Sequence, residues 1–261
     1  MEVIIRPDAE DIARIVADAF TGLLTRKPDA VLGLATGSSP LKVYDELARR
    51  HDAGEVSFAR ARAFALDEYV GLTPDHPQRY ANVLQTEIAG RVDFAPGAVQ
   101  APDGLADDLP AACAQYEAAI ASAGGVDLQI LGIGTDGHIA FNEPGSSLAS
   151  RTRLKTLTAQ TRIDNARFFD DNVDAVPRHC LTQGLGTIME ARHVVLVATG
   201  SAKAEAVHRM VEGAVSAMWP GSILQFHRHA TVLVDEAAAS RLQLSSYYRA
   251  AYEGKPDWQG L

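Results

Sequence analysis

Residues 9–24 place Ile12, Ile15, Val16, Ala19, Phe20, Leu23 and Leu24 three and four positions apart, the stripe of a helix with one apolar face. Past Ala30 the rhythm changes. Five short apolar runs, at residues 31–35, 63–66, 127–133, 193–198 and 230–234, are continuous rather than alternating. Such runs read as strands buried on both faces, and that burial belongs to parallel sheets with helices above and below. Helical stretches predicted at 41–50 and 202–212 fit between them. The expected fold class is therefore α/β: an open, mainly parallel sheet covered by helices on both faces. No repeat, low-complexity tract or linker interrupts residues 1–261. The segment 97–110, rich in Pro, Gly, Asp and Ala, has the length of a loop rather than a domain boundary. One domain is predicted.

Four of the runs end in polar, glycine-bearing sequence: TGSSP (36–40), DEYVGL (67–72), GTDGHIAFNEP (134–144) and TGSAKA (199–204). Ligands of open parallel sheets bind at the carboxyl ends of the strands, so four such ends predict one shared pocket. In TGSSP, Gly37 permits a tight turn, and Ser38 and Ser39 offer hydroxyls at a helix start, where amides bind anions. Lys203 enters the first turn of a helix, against the helix dipole, and an anionic ligand explains it there.

Asp67 and Glu68 are neighbours on an extended chain and face opposite sides, so one carboxylate faces the pocket. Asp67 is the first polar residue after its run; a plain cap or turn former is the competing reading. Asp136 and His138, two apart, share one side of an extended segment. A carboxylate beside an imidazole raises its basicity and fixes its tautomer, as acid–base work requires. Glu143 follows, held extended by Pro144. A metal site uses the same residue types, but no second histidine is near. His227 and His229 flank Arg228 and read as surface or interface residues.

The net charge of −9, from 33 acidic and 24 basic residues, repels nucleic acid and anionic lipid. Positive charge at the pocket must therefore be local. The two cysteines, Cys113 and Cys180, form neither a disulfide framework nor a CxxC pair, which suits a reducing cytoplasm. The first ten residues lack a signal-peptide pattern, and no apolar run reaches the roughly 18 residues of a membrane span.

LDEYVGL (66–72), LGIGTDGHIAFNEPGSSLASRTRLKTLT (131–158), ATGSAKA (198–204) and TGSSP closely resemble the glucosamine-6-phosphate deaminase family. The likeness runs nearly end to end, through SAMWPGS (216–222), and DGHIAFNEP is its most specific string. The looser GxGxDGH pattern is shared with 6-phosphogluconolactonases and sugar-phosphate sensor domains. The resemblance implies a modified Rossmann-like fold and conversion of glucosamine 6-phosphate to fructose 6-phosphate and ammonia, through ring opening and an enolamine, without metal or organic cofactor. It implies that Asp67 is the base between C2 and C1, and that His138 opens the ring with Asp136 and Glu143 setting its protonation. Gly37, Ser38, Ser39, Arg167 and Lys203 match the phosphate ligands. Arg167 comes from the resemblance alone; it lies in a polar stretch, 160–182, similar to a mobile lid.

The resemblance also implies a homohexamer activated by N-acetylglucosamine 6-phosphate between subunits. Ser146, Arg153, Lys155 and Thr156 match that site, with Tyr247 a further contact. Without the family, Arg151, Arg153 and Lys155 read as a solvated basic strand face. Arg79 and the C-terminal GKPDWQGL depart from the family pattern. A lactonase fits Tyr69 and FNEP poorly. A non-catalytic sensor would lack Asp67 or His138, or carry a DNA-binding segment ahead of this domain.

Overall fold

The computed structural model describes residues 1–256 and 259–261; within the C-terminal GKPDWQGL, Asp257 and Trp258 lie outside the described residues. The chain runs β1 (Glu2–Arg6), α1 (Ala9–Arg26), β2 (Val31–Leu34), α2 (Leu41–Asp52), β3 (Arg62–Ala65), β4 (Asp67–Tyr69), α3 (Tyr80–Glu87), β5 (Val99–Gln100) and α4 (Leu109–Ser122). It continues through β6 (Leu128–Leu131), β7 (Arg153–Thr156), α5 (Ala159–Asn165), β8 (His179–Thr182), α6 (Leu185–Met189), β9 (His193–Ala198), α7 (Ala204–Val211), β10 (Ala230–Asp235) and α8 (Ser245–Glu253). Helix α1 begins where the Asp8 carboxylate accepts the Asp11 amide at 2.8 Å, a side-chain N-cap. Its predicted stripe is buried at Ile12, Val16, Phe20 and Leu24.

Seven strands form one sheet in the order β1-β10-β9-β6-β2-β3-β5, every pair parallel. All residues of β2, β6 and β9 are buried, so both faces are covered, as continuous apolar strands require. The order reverses between β2 and β6. The chain leaves β2 outward to β3 and β5, then returns to β6 on the other side, and this opens a crevice at the carboxyl ends of β2 and β6.

A second sheet was not legible in the apolar pattern. It is antiparallel, in the order β4-β8-β7. β4 is only Asp-Glu-Tyr, and β7 is Arg-Leu-Lys-Thr with alternating exposure; neither carries an apolar run. The chain crosses between the sheets at Leu66. Its amide donates to Leu34 O at 3.1 Å, and its carbonyl accepts the Gln183 amide at 2.8 Å. Gln183 Nε2 also donates to Ala65 O at 2.9 Å.

At the opposite end of the strands lie three histidines. Of the two read as surface or interface residues, His229 is exposed and His227 is buried within the chain. Its Nδ1 accepts the His229 amide at 3.0 Å and its Nε2 donates to Ala191 O at 2.8 Å, which fixes one neutral tautomer. His193, also buried, sits 3.0 Å from Thr231 Oγ1. Its ring stacks on that of His229 at 3.6 Å with planes 2° apart.

Burial, then the neighbouring His229, His227 and Lys255, push His193 down to about 3. The unfolded chain takes up this proton below about 6.5 while the folded chain refuses it until about 3, so stability is complete above 6.5 and is lost as pH falls. The melting temperature is expected to drop between pH 6.5 and 4.5 more steeply in the wild type than in His193→Gln, the group contributing up to about 1.4 kcal/mol per pH unit. Equal slopes in a calorimetric pH series would assign the acid sensitivity to other groups.

Candidate active site

The crevice holds a cavity of about 390 Å³ at the carboxyl ends of the strands. Gly37, Ser38 and Ser39 reach it from the end of β2, Asp67 from β4, His138 from the loop after β6, Lys203 from the start of α7, and Arg167 from the turn after α5. Asp136 and Glu143 stand behind His138 rather than in the cavity wall.

Each loop is shaped by a local cause. Tyr44 OH donates to Ala35 O at 2.7 Å and accepts the Ala35 amide at 3.1 Å, pinning the end of β2. Gly37 then turns with φ of +87°, open to glycine at no steric cost. The segment around Asp136 is a tight turn rather than the extended stretch its spacing suggested. Gly134 N donates to His138 O at 2.9 Å and Gly137 N to Gly134 O at 3.0 Å. A Cβ on Gly134 would fall 2.3 Å from His138 Cε1, so the imidazole occupies space that only glycine leaves. At Gly200 the amide is taken by both oxygens of Asp235, at 3.0 and 2.9 Å. That leaves Lys203, not the loop backbone, as the cation of this strand end.

His138 Nδ1 lies 2.7 Å from Asp136 Oδ1 and 3.6 Å from Glu143 Oε2. The shorter approach lies off the axis of the N–H bond, since neither Nδ1 nor Glu143 Oε2 has a directed hydrogen-bond partner; the attraction is between charges. Burial pushes the imidazole down, but Asp136 and Glu143 outweigh it and lift His138 to about 9. Burial likewise raises Asp136, and contact with His138 reverses this and brings it to about 2. With Nδ1 turned to the carboxylates, Nε2 is the nitrogen left to exchange protons.

Asp67 is 5% exposed. Burial first, then the charge of Glu68, raise it to about 8 against the pull of His138. Glu68 points away, as strand alternation requires, and is fully buried. Its Oε1 accepts the amides of Tyr69 and Tyr80, each at 2.9 Å, and its Oε2 that of Ala81 at 3.0 Å. The cavity thus has one carboxylate tuned near neutrality facing one imidazolium, a pairing suited to moving protons.

At the other end, Lys203 is half-buried; burial and the nearby Arg167 lower its pKa. Arg167 lies over the Phe168 ring at 4.8 Å. Neither cation forms a salt bridge among the described residues. Asp136, His138 and Glu143 also gather donor atoms within 4.8 Å of one another, and a metal there would compete with the proton that the two carboxylates favour on His138.

The pattern gave no notice of the wall opposite. Tyr80 stacks on Phe141 at 5.9 Å and 18° and meets Tyr69 at 4.8 Å with the rings tilted by 49°. The only signal was that helix α3 lacks a capping side chain at Arg79, so a partner from elsewhere had to be present. The last residues of the stretch 160–182 are β8, the buried middle strand of the small sheet.

The second group of residues is dispersed. Ser146 is buried, its hydroxyl donating to Glu143 O at 2.6 Å. Arg153 and Lys155 share one half-buried face of β7, with Thr156 exposed at its end. Arg151 does not join them as a free charge: it pairs with Glu117 at 2.5 Å and Glu190 at 2.6 Å. Tyr247 is exposed on α8, which packs against β1 at one edge of the large sheet, whereas β7 packs on α4.

A family model described as glucosamine-6-phosphate isomerases/6-phosphogluconolactonase matches residues 7–233, which gives the class. Within it, the chain is 73% identical over 261 residues to the glucosamine-6-phosphate deaminase of Mycolicibacterium smegmatis, covering 100% of both chains. The solved structure of a monomeric glucosamine-6-phosphate deaminase superposes with a TM-score of 0.90 at 42% identity, covering 92% of this chain and 100% of that one. The 6-phosphogluconolactonase of Thermotoga maritima, at 20% identity, TM-score 0.72 and coverage of 90% and 99%, shares the fold. The chain is an enzyme and belongs to the glucosamine-6-phosphate deaminase family.

Asp136→Asn removes the carboxylate nearest His138. The imidazole midpoint, followed by NMR, is expected to fall from about 9 by one unit or more, because a neighbouring anion is what favours the charged ring. A midpoint left in place would assign the shift to Glu143 alone.

Proposed function

We propose that the enzyme converts glucosamine 6-phosphate and water to fructose 6-phosphate and ammonia in the cytoplasm, without metal or organic cofactor. His138 moves the proton from the anomeric hydroxyl to the ring oxygen and opens the pyranose, with Asp136 and Glu143 holding its charge. The aldehyde acidifies the C2 proton. Asp67, as the carboxylate, takes that proton to give the enolamine and returns it to C1. The resulting ketimine adds water at C2 and expels ammonia. Gly37, Ser38, Ser39, Arg167 and Lys203 hold the phosphate, and this remote binding energy fixes the reacting end. Residues 159–176, tied to the core where Asn165 Nδ2 donates to Tyr69 OH at 3.1 Å and Thr135 Oγ1 to Asp164 at 3.1 Å, serve as the lid.

The observation that carries the reading is Asp67, a buried carboxylate raised to about 8 that opens onto the same cavity as His138. Lactone hydrolysis transfers no carbon-bound proton and would use a base only to activate water, and a sensor needs no tuned carboxylate.

The regulatory part of the reading is a homohexamer in which N-acetylglucosamine 6-phosphate binds between subunits as activator. Its supports are Ser146, Arg153, Lys155 and Thr156, two of them cations without a salt bridge among the described residues. Tyr247 stands on a separate element, so its part in that site requires a second copy of the chain. The monomeric state named for the relative of 42% identity is that protein's own.

Asp67→Asn is expected to lower ammonia release from glucosamine 6-phosphate by roughly 10² to 10⁴ while binding survives; a variant keeping a tenth of wild-type turnover sinks the assignment. Lys203→Ala and Arg167→Ala are expected to raise KM by about tenfold or more, the worth of a charge-assisted contact, and unchanged kinetics would remove them from the phosphate site. Light scattering and saturation curves with the acetylated sugar test assembly and activation separately: a monomer refutes the first, and curves blind to the sugar refute the second.

A further inference from the structure

Glu68 is a charge with no part in the chemistry proposed above, yet it is placed as though it had one. It is fully buried, next in sequence to Asp67, and lies on the other face of β4. A carboxylate so enclosed persists only where donors compensate its lost hydration. Burial raises the Glu68 pKa, and three backbone amides offset part of that rise. Two of them, Tyr80 and Ala81, lie 12 and 13 positions away, at the first turn of α3. That helix has no capping side chain of its own. Glu68 caps it from outside, where the helix dipole favours an anion. Arg79, the residue before the helix, adds a cation with Nε 3.8 Å from Oε2.

Helix α3 is the wall of the cavity. Tyr80, Val83, Thr86 and Glu87 line it, and Tyr80 stacks on Phe141 and packs against Tyr69 at a tilt. We propose that Glu68 is a positioning residue for the reaction: its ionised carboxylate anchors α3 to the strand that carries Asp67, and thereby sets both the distance of the Tyr80 wall and the charge beside the base. The three amides hold Glu68 as the anion, and Arg79 is its counter-ion, a cation that offsets part of its field at Asp67.

The charges around Asp67 make the direction of the effect definite. His138 faces it from the loop after β6, Tyr80 from α3, Tyr116 from α4, Cys180 from β8, and Glu68 and Tyr69 from its own strand. Burial raises the three tyrosines and the thiol, so they stay neutral around pH 7. Glu68 and His138 are the two charges, of opposite sign. Removing the anion leaves the cation, and Asp67 then ionises at lower pH.

This rests on Asp67 being the base, and the decisive readout is chosen to stand apart from that. The carboxyl of Asp67 is titrated by carbon NMR without substrate, beside the acid limb of kcat/KM. In Glu68→Gln the midpoint and the acid limb are both expected to move to lower pH by about one unit or more, with KM raised because Ala81 loses its acceptor. Glu68→Asp keeps the charge but is too short to reach α3; KM rises several-fold and the midpoint stays. Arg79→Gln, at a half-exposed position, removes only the counter-charge, and the midpoint moves up. It carries the test if the Glu68 variants fail to fold. A Glu68→Gln enzyme with wild-type midpoint and KM, or an Arg79→Gln shift in the same direction as Glu68→Gln, overturns the proposal. If Asp67→Asn stays active while the midpoints respond, the base is misassigned and the anchoring by Glu68 stands; if Asp67→Asn is dead and the midpoints do not respond, Asp67 stands and Glu68 is only structural.

Discussion

The site depends on the passage of the chain at Leu66 from the parallel sheet to the antiparallel one. A strand leaving a sheet abandons its ladder bonds, and buried peptide groups cannot be left unpaired without a cost of about 1–3 kcal/mol each. Here Leu34 O and the Gln183 amide take the Leu66 groups on either side, and the Gln183 side chain takes Ala65 O. The next residue is thereby fixed, buried, at the floor of the crevice. It is Asp67. Its elevated proton affinity follows from where the crossing puts it, and the crossing in turn needs β8 as a partner. This is why 179–182, polar stretch though it borders, is interior strand.

An acidic chain can still offer an anion a place where positive charge is local. The net charge of −9 is the excess of acidic residues spread along the chain, and the exposed ion pairs that some of them form each contribute little. Within the cavity the signs are sorted by depth. Lys203 and Arg167 stand toward the mouth, and Asp67 lies on the floor with His138 between charged neighbours. A dianionic group drawn to the cations is held away from the carboxylates by the length of the molecule that carries it. On the proposed reading, orientation is set before any proton moves.

Five strands of the large sheet were legible because each lies mostly buried, so the apolar run and the strand coincide to within a residue or two; the edge strands β1 and β5 were not read, β1 having only three buried residues and β5 only two residues in all. The pocket was legible for the same reason: polar residues that interrupt such runs cluster at strand ends, and the topology gathers those ends. The small sheet was not, since its strands carry charges at Asp67, Glu68, Arg153 and Lys155 that only tertiary partners compensate. The turn at Gly134–His138 was misread as extended because Asp136 and His138 meet equally well across a turn, and spacing alone does not separate the two. His227 was placed outside because its backbone partners, Ala191 O and the His229 amide, leave no trace in the sequence. Arg167 needed the family; nothing in ARFF marks it.

Residues 142 and 143 join what the sequence reading treated as two separate groups. Glu143 Oε2 faces His138, while its Oε1 accepts the amide of Thr158, the residue that caps α5, at 3.1 Å. Its carbonyl accepts Ser146 Oγ at 2.6 Å. Asn142 Oδ1 accepts Arg153 Nη1 at 2.9 Å, and Asn142 Nδ2 donates to Gln183 O at 2.8 Å. A ligand that moved Arg153 or Ser146 would therefore pull on the dipeptide that holds both the imidazole's second carboxylate and the start of the segment over the cavity. Coupling of this kind needs two discrete arrangements of a shared element rather than a long path. The buried oxygen of Glu143 that lacks a directed partner, opposite an imidazole nitrogen in the same condition, is the place where such a second arrangement would form, since a small rotation would satisfy both atoms at once.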